Sequence, residues 1–185
     1  MKLRKLEKKD APLMLEWMHD PSVVENMQAD FAHKKIKDCY TFIEAAQDTT
    51  VNMHLAIVND SDEYMGTVSL KNIDAESAEF AITIRKEAMG KDYSRCGMAE
   101  IIRIGFDDLK LTRIYWCVSP ENIRACKFYD KNGYKQMKIT ENEKYHLITC
   151  VGGVQPRTDQ PLQVVSGYKR TISGYAILLY MKEVA

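Results

Sequence analysis

The sequence lacks three things: an apolar run of the roughly 18 residues that span a bilayer, a Cys-x-x-Cys pair, and a surplus of charge of either sign. The first absence removes a membrane-spanning helix. The opening MKLRKLEKKDAP also lacks the apolar stretch of a secretory signal, so the expected location is cytoplasmic. Lys plus Arg and Asp plus Glu both number 26, leaving no global field to attract nucleic acid or an anionic membrane. Neither is expected as a partner, and an anionic ligand has to be held by local groups. The cysteines (Cys39, Cys96, Cys117, Cys126, Cys150) are odd in number and widely spaced. That disfavours a disulfide framework and a zinc site, and points to free thiols in a reducing compartment. His19, His33, His54 and His146 show no metal-ligand spacing and no nucleophile motif, so no metal is expected.

What is present is an ordinary globular balance: 185 residues, 45% hydrophobic and 28% charged, expected as one domain over 1–185. A short strand is predicted at Lys2–Glu7. Asp10 is a candidate cap for a helix with Pro12 at an early position and Leu13, Leu15, Trp17 and Met18 as apolar content. Asp20-Pro21-Ser22 restarts a turn through Val23, Val24 and Met27. Between Ala32 and Ala46, Ile36, Tyr40, Ile43 and Ala46 recur at helical spacing. The period then changes. Val51–Val58, Tyr64–Leu70 and Ser77–Ile84 alternate as strands of an antiparallel meander; in the last, Phe80, Ile82 and Ile84 share one face and Glu79, Ala81 and Thr83 the other.

A glycine-containing turn, Met89–Ser94, leads into a helix predicted over Arg95–Leu109, and Thr112–Val118 is β-branched and aromatic, hence a strand. Ser119 is a plausible cap for the next helix, with Pro120 at its first position and Lys131-Asn132-Gly133 closing it. Tyr134–Ile139 and Gly174–Met181 are the final strand candidates. Asn142–Thr171, with Gly152-Gly153, Pro156, Pro161 and Gly167, reads as a long hairpin or an ordered excursion between them, a length that in a compact domain tends to be functional or mobile. The order βααα-βββ-α-β-α-ββ gives an α/β sheet with helices on both faces.

Two features carry chemistry. A turn feeding a helix N-terminus presents free backbone N–H groups and the positive end of the helix dipole, a cradle for phosphate that many α/β proteins also contain as a plain connection. On the second helix, Asn122, Ala125 and Tyr129 fall at i, i+3 and i+7 and line one face. Asn122 donates and accepts, and Tyr129 carries a weak acid that can protonate a leaving group. The structural alternative is a capping Asn122 with Phe128 and Tyr129 as core aromatics.

The stretch Tyr115–Tyr134, containing V-S-P-E-N-I-R-A-C-K-F-Y-D-K-N-G-Y, resembles the closing motif of the GCN5-related N-acetyltransferase family, and Ala78–Ser94 is similar to that family's fourth strand and pyrophosphate loop. The opening Leu3–Asp20 is similar to the branch holding ribosomal-protein, polyamine and amino-sugar acetyltransferases; the likeness covers about residues 1–140. The resemblance implies a mixed, mostly antiparallel sheet of six to seven strands with helices on both faces. It also implies acetyl-coenzyme A as co-substrate, and direct attack on the thioester by the primary amine of a small-molecule or peptide acceptor. It leaves room for a homodimer.

The resemblance further implies that the main chain of Ile82, Thr83 and Ile84 pairs with the pantetheine amides where strands four and five splay. Gly90, Lys91, Asp92, Tyr93, Ser94 and Arg95 would hold the pyrophosphate. Asn122 would contact the pantetheine arm, with Lys127 and Phe128 near the nucleotide. Tyr129 would protonate the thiolate, and Glu79 is a candidate base, with an exposed strand carboxylate or a salt-bridge partner as its structural alternative.

The loop departs from the family's [QR]-x-x-G-x-[GA]: Met89 to Ser94 read M-G-K-D-Y-S, with Asp92 and Ser94 at the small positions. An aspartate there could accept the N–H groups a phosphate needs, and it places a like charge near the phosphate, with Lys91 and Arg95 available to offset it. A fold member without catalytic activity, acting as a binding or structural module, is therefore the alternative reading.

Overall fold

Alternation between two cores organises the chain. Residues 1–27, 29–137 and 178–183 are described by the computed structural model. Strands β1 (Lys2–Lys5), β2 (Met53–Val58), β3 (Tyr64–Lys71), β4 (Ser77–Ile84), β5 (Arg113–Val118), β6 (Lys135–Met137) and β7 (Leu178–Glu183) form one sheet in the order β1-β2-β3-β4-β5-β7-β6. All described pairings are antiparallel except β4 with β5. The strand count and mixed pairing agree with the sequence expectation.

Period-two side chains send Ala56 and Val58 to one face and Ile57 to the other. The first face packs on α1 (Ala11–Met18), the short α2 (Pro21–Val24) and α3 (Ile36–Ala45), through Met14, Trp17, Cys39 and Ile43. The second packs on α4 (Tyr93–Arg103, whose last turn widens over Ile104–Asp108) and α5 (Ile123–Lys131), through Met98, Ile101 and Tyr129. Each fully buried aliphatic chain, such as Ile57 or Ile101, contributes about 1.5–3 kcal/mol.

Several local expectations are corrected. Asp10 does not cap α1 with its side chain; it is buried, takes both arms of Arg4 (2.7 and 2.8 Å) and accepts the Glu7 N–H at 2.8 Å. A carboxylate this buried needs a bidentate guanidinium more than a helix needs its cap. Tyr40 lies 37% exposed while Cys39, three residues after Ile36 and four before Ile43, takes the buried position on α3. α4 starts two residues before the predicted Arg95. Ser119 does not cap α5: it accepts the Glu121 N–H in a turn, and Asn122 caps instead, its Oδ1 accepting the Ala125 N–H at 3.1 Å. Pro120 therefore sits in the turn, not the helix. The stop at Lys131 is where predicted. The strands expected at Tyr134–Ile139 and Gly174–Met181 are described over Lys135–Met137 and Leu178–Glu183, and the 142–171 excursion lies outside the described residues.

Candidate functional site

The site begins where two parallel strands part. β4 and β5 pair at Ser77↔Arg113, Ala78↔Ile114 and Glu79↔Tyr115, and no later pair joins them although β4 runs on to Ile84 and β5 to Val118. β4 stays bonded to β3 through Ile84, and β5 to β7 through Val118, so each strand keeps its outer partner while the inner edges separate. The first residues past the last pair are Phe80 and Trp116, whose rings meet edge-on at 5.4 Å. Both rings are buried in the core beneath α4 and α5 at that level. Past Glu79, the inner edge of β4, including Ile82, Thr83 and Ile84, pairs with no strand among the described residues. It therefore offers main-chain donors and acceptors to a ligand lying in the fork.

The aromatic wall of the fork comes from β5, α5 and the turn after α5. Trp116 lies 5.3 Å from Tyr129 and 5.1 Å from Tyr134, and Phe128 lies 5.2 Å from Tyr129. Tyr129 is 6% exposed, so it is a core aromatic as well as a candidate acid. Lys127 is exposed and Phe128 half-buried on the same helix.

The turn before α4 supplies the second element. Gly90 (φ +75°) and Asp92 (φ +64°) both adopt the left-handed conformation that permits the sharp entry into the helix. This explains why a small residue suits position 92: the requirement is a backbone angle as much as space. Asp92 makes no capping bond to α4. Its carboxylate turns outward to Arg95, at 3.1 and 3.3 Å, and that guanidinium holds the carboxyl below the usual range. The helix's first internal bond is Cys96 N–H to Asp92 C=O, so the N–H groups of Tyr93, Ser94 and Arg95 precede the helical ladder and no side-chain cap uses them. Lys91 and Arg95 are exposed beside them. Arg124 of α5 reaches across to Met89 Sδ at 3.1 Å, bringing the turn and α5 together at the rim.

The opposite face carries the other candidates. His54 packs its ring 4.9 Å from Phe42 of α3, which identifies this face as the α1–α3 side. His54 Nδ1 lies 2.7 Å from Ser69 Oγ, and Ser69 stands opposite Ala81 in the β3–β4 register, so Glu79, Ala81 and Thr83 share the face. Glu79, at the last β4–β5 pair, accepts from Lys71 Nζ at 2.7 Å and from Asn72 Nδ2 at 3.3 Å. Burial and the Lys71 charge push the His54 imidazole below its ordinary range. Nearby, Trp17 Nε1–H donates to Tyr64 Oη (3.1 Å), which sits 2.7 Å from Thr67 Oγ1; burial pushes the Tyr64 phenol well up. Arg85, following β4, is buried and bound by Glu16 (2.9 Å), Glu63 (3.2 Å) and the Tyr64 carbonyl (3.0 Å), with Glu87 at 3.7 Å.

Thus Ile82, Ile84, Met89, Tyr93, Phe128 and Tyr129 belong to or pack on the one core cluster beneath α4 and α5, whereas Glu79 lies on the other face of the sheet. Asn122 is at the start of α5 as its cap. Sequence patterns gave no sign of Arg85, Arg124 or the His54–Ser69 pair. The charge of Arg85 immediately after an apolar strand could have marked it, whereas a pairing between positions fifteen apart left no signal for His54. Among the described residues no helix is long and apolar enough to cross a membrane, and no group of three or more His, Cys, Asp or Glu side chains could hold a metal ion.

Known proteins resemble this chain over most of its length. Over 155 residues the chain is 27% identical to an uncharacterized N-acetyltransferase p20 of Bacillus licheniformis, covering 79% of this chain and 86% of that protein. It is 22% identical over 144 residues to the acetyltransferase PseH of Campylobacter jejuni, covering 77% and 87% respectively. Among solved structures, a GNAT-family acetyltransferase from Bacillus anthracis superposes with a TM-score of 0.68 at 15% identity, covering 98% of this chain and 93% of that one. The spermidine N-acetyltransferase of Vibrio cholerae, solved with CoA and spermine, superposes at 0.66 with 22% identity, covering 74% and 82%. The family model for the acetyltransferase (GNAT) domain matches residues 1–135, which hold the fork, the turn and α5. The chain belongs to the GNAT acetyltransferase family and is an N-acetyltransferase.

Proposed function

We propose that this protein transfers an acetyl group from acetyl-coenzyme A to the primary amine of a cationic acceptor by direct attack, in the reducing cytoplasm. The observation that carries the reading is the inner edge of β4, which past Glu79 pairs with no strand among the described residues, together with the uncapped start of α4. A thioester on an extended amide arm with a pyrophosphate at its far end matches both: amides to the strand edge, phosphates to the helix N–H groups with Lys91 and Arg95. Asp92 and Ser94, on which a non-catalytic reading rests, do not obstruct this. The Asp92 carboxylate is turned onto Arg95, away from the helix N–H groups, and Ser94 is small.

Within the reaction, Ile82, Thr83 and Ile84 hold the pantetheine arm, so that the thioester lies at the fork. Asn122, whose oxygen is committed to the α5 cap, offers its amide N–H groups to the same arm. Lys127 and Phe128 flank the nucleotide. The co-substrate supplies an activated acyl carbon; the amine attacks it, the C–N bond forms, the C–S bond breaks, and Tyr129 gives its proton to the departing thiolate. Holding the two reactants together accounts for much of the rate, without a covalent enzyme intermediate.

The acceptor class follows from charge. Glu16, Glu63 and Glu87 surround a single guanidinium, Arg85, and each is about half exposed, leaving negative charge beside the α1–α3 face. That favours a polyamine over an amino-sugar on a nucleotide, whose phosphates would be repelled. The test is Tyr129→Phe, which keeps the ring packing and removes the hydroxyl. Turnover falls about 10²–10⁴-fold while acetyl-coenzyme A affinity holds. A variant with normal turnover and a lowered melting temperature would reduce Tyr129 to structure.

A further inference from the structure

The α1–α3 face of the sheet carries a polar pair among largely apolar neighbours. His54 and Ser69 lie on adjacent strands, on a face otherwise packed by Ala56, Val58 and Tyr64, and their side chains are joined at 2.7 Å. Ser69 is 5% exposed. Across the ladder Ser69 faces Ala81, the first residue on this face beyond the last β4–β5 pair at Glu79↔Tyr115. Directly opposed residues in an antiparallel pair sit about 4.5–5.5 Å apart. Ser69 Oγ therefore stands one strand from the point where the fork opens, on the side facing α1 and α3. On its other side His54 lines a surface cavity of about 180 Å³ between α3 and the start of β2, whose walls include Phe42, Asp48, Thr50 and Asn52.

We infer that His54, acting through Ser69, receives the proton that the attacking amine loses and delivers it to solvent through the α3–β2 cavity. The inference rests on the acetyl-transfer reading. As the C–N bond forms, the amine nitrogen gives a proton to Ser69 Oγ, directly or over one water. Ser69 passes its own proton to His54 Nδ1, Nε2 releases one to water in the cavity, and proton exchange with that water returns the ring to its Nε2–H tautomer before the next turnover. One proton leaves by this path while Tyr129 supplies another to the thiolate and is restored from solvent, so the sum balances. The path needs a neutral imidazole with Nδ1 free to accept. Burial beside Phe42 and the positive Lys71 favour the neutral ring.

The charges facing His54 are accounted for. Lys71 on β3 is paired with Glu79 of β4 at 2.7 Å, and Asp48, after α3, is held by the Thr50 N–H and hydroxyl at 3.0 and 2.7 Å. Neither carboxylate bonds the ring. The same contacts commit Glu79 to Lys71 and Asn72, which leaves the histidine as the less encumbered acceptor. Because it works through Ser69, His54 is a positioning residue of the relay.

The test is the pH dependence of kcat/KM for the full chain with acetyl-coenzyme A and spermidine, in unaltered protein, His54→Gln and Ser69→Ala. In the unaltered chain the acid side of the profile steepens by one further proton below the ordinary histidine range, as the ring protonates. In His54→Gln that extra step disappears and the plateau falls by about 10²-fold, with KM for acetyl-coenzyme A unchanged. Ser69→Ala retains the ring yet loses the same step, which guards against a folding defect in the first variant. A structural role would lower the melting temperature and leave the profile's shape intact, and that result overturns the inference alone. An unaltered chain that transfers no acetyl group overturns the acetyl-transfer reading and this inference with it.

Discussion

Gly66→Ala puts a single methyl where the strand that frames the fork has no room for it. Gly66 of β3 stands opposite Ile84 of β4, and a Cβ there would lie 2.3 Å from the Thr83 carbonyl oxygen, 2.9 Å from Ile84 Cδ1 and 3.1 Å from Ile84 Cα. The Ile84 methyl can swing aside; the carbonyl and the Cα belong to the backbone. Relief requires β4 to retreat by about 1 Å just where its free edge faces the fork. Overpacking of this kind costs about 1–3 kcal/mol, against roughly 0.4–1 kcal/mol returned by alanine's smaller unfolded-state entropy. For a chain of 185 residues each kcal/mol moves Tm by about 2–4 °C. Differential scanning calorimetry should therefore show a lower Tm. Isothermal titration at a temperature where both proteins are folded should show weaker acetyl-coenzyme A binding, because Thr83 and Ile84 have moved. Gly97→Ala is the control: its Cβ would meet Ile57 side-chain atoms at 2.6 and 3.1 Å, which can repack, and it lies off the β4 edge. Wild-type Tm and affinity in Gly66→Ala would refute the claim that this close approach sets the position of the β4 edge.

Three further outcomes are expected. Asp92→Gly supplies the residue that φ +64° favours and frees Arg95, so acetyl-coenzyme A binding should tighten at low salt and the gain should shrink as salt screens it; unchanged affinity would contradict the role given to this turn. Asp62 accepts from Arg4 and from Lys9, and these cations hold its carboxyl well below the ordinary value. A depressed folded value means stabilisation that is complete above about pH 4, the unfolded carboxylate range, and lost as pH falls through the folded value. Asp62→Asn should thus flatten the acid side of a stability–pH curve, and a curve that keeps its acid slope would assign that slope elsewhere. Tyr64→Phe leaves the buried Trp17 N–H and Thr67 hydroxyl without their shared partner and should cost about 1–3 kcal/mol by denaturant unfolding, with a neutral result meaning that both find water.

Much of the architecture was legible because it rests on period and punctuation. β4 was read at its observed bounds from the alternation of S-A-E-F-A-I-T-I, and the stop of α5 from Lys131-Asn132-Gly133. Capping was misread where two candidates competed. Ser119-Pro120 fits a helix start as well as Asn122 does, and only the Asn122 bond to the Ala125 N–H decides between them. Asp10 was misread because a cap was inferred from local sequence, whereas its partner, Arg4, is set by the fold of the preceding strand and turn. At the site, the turn and α5 were visible as motifs contiguous in sequence. The carboxylate of Asp92 was visible as a charge problem with Arg95 at hand to offset it, but its left-handed backbone was not. The His54–Ser69 pair and the Arg85 cluster were invisible, since both join residues that only strand register or helix packing brings together.

The central claim is acetyl transfer at the fork between β4 and β5. The most direct measurement incubates the full chain with acetyl-coenzyme A and spermidine and follows free thiol release together with the mass of the amine. The account predicts stoichiometric release of coenzyme A thiol and an amine heavier by one acetyl group, both lost when the amine is omitted. Acetyl-coenzyme A that binds in the same sample without either product, across polyamine, amino-sugar and peptide amines, would contradict it.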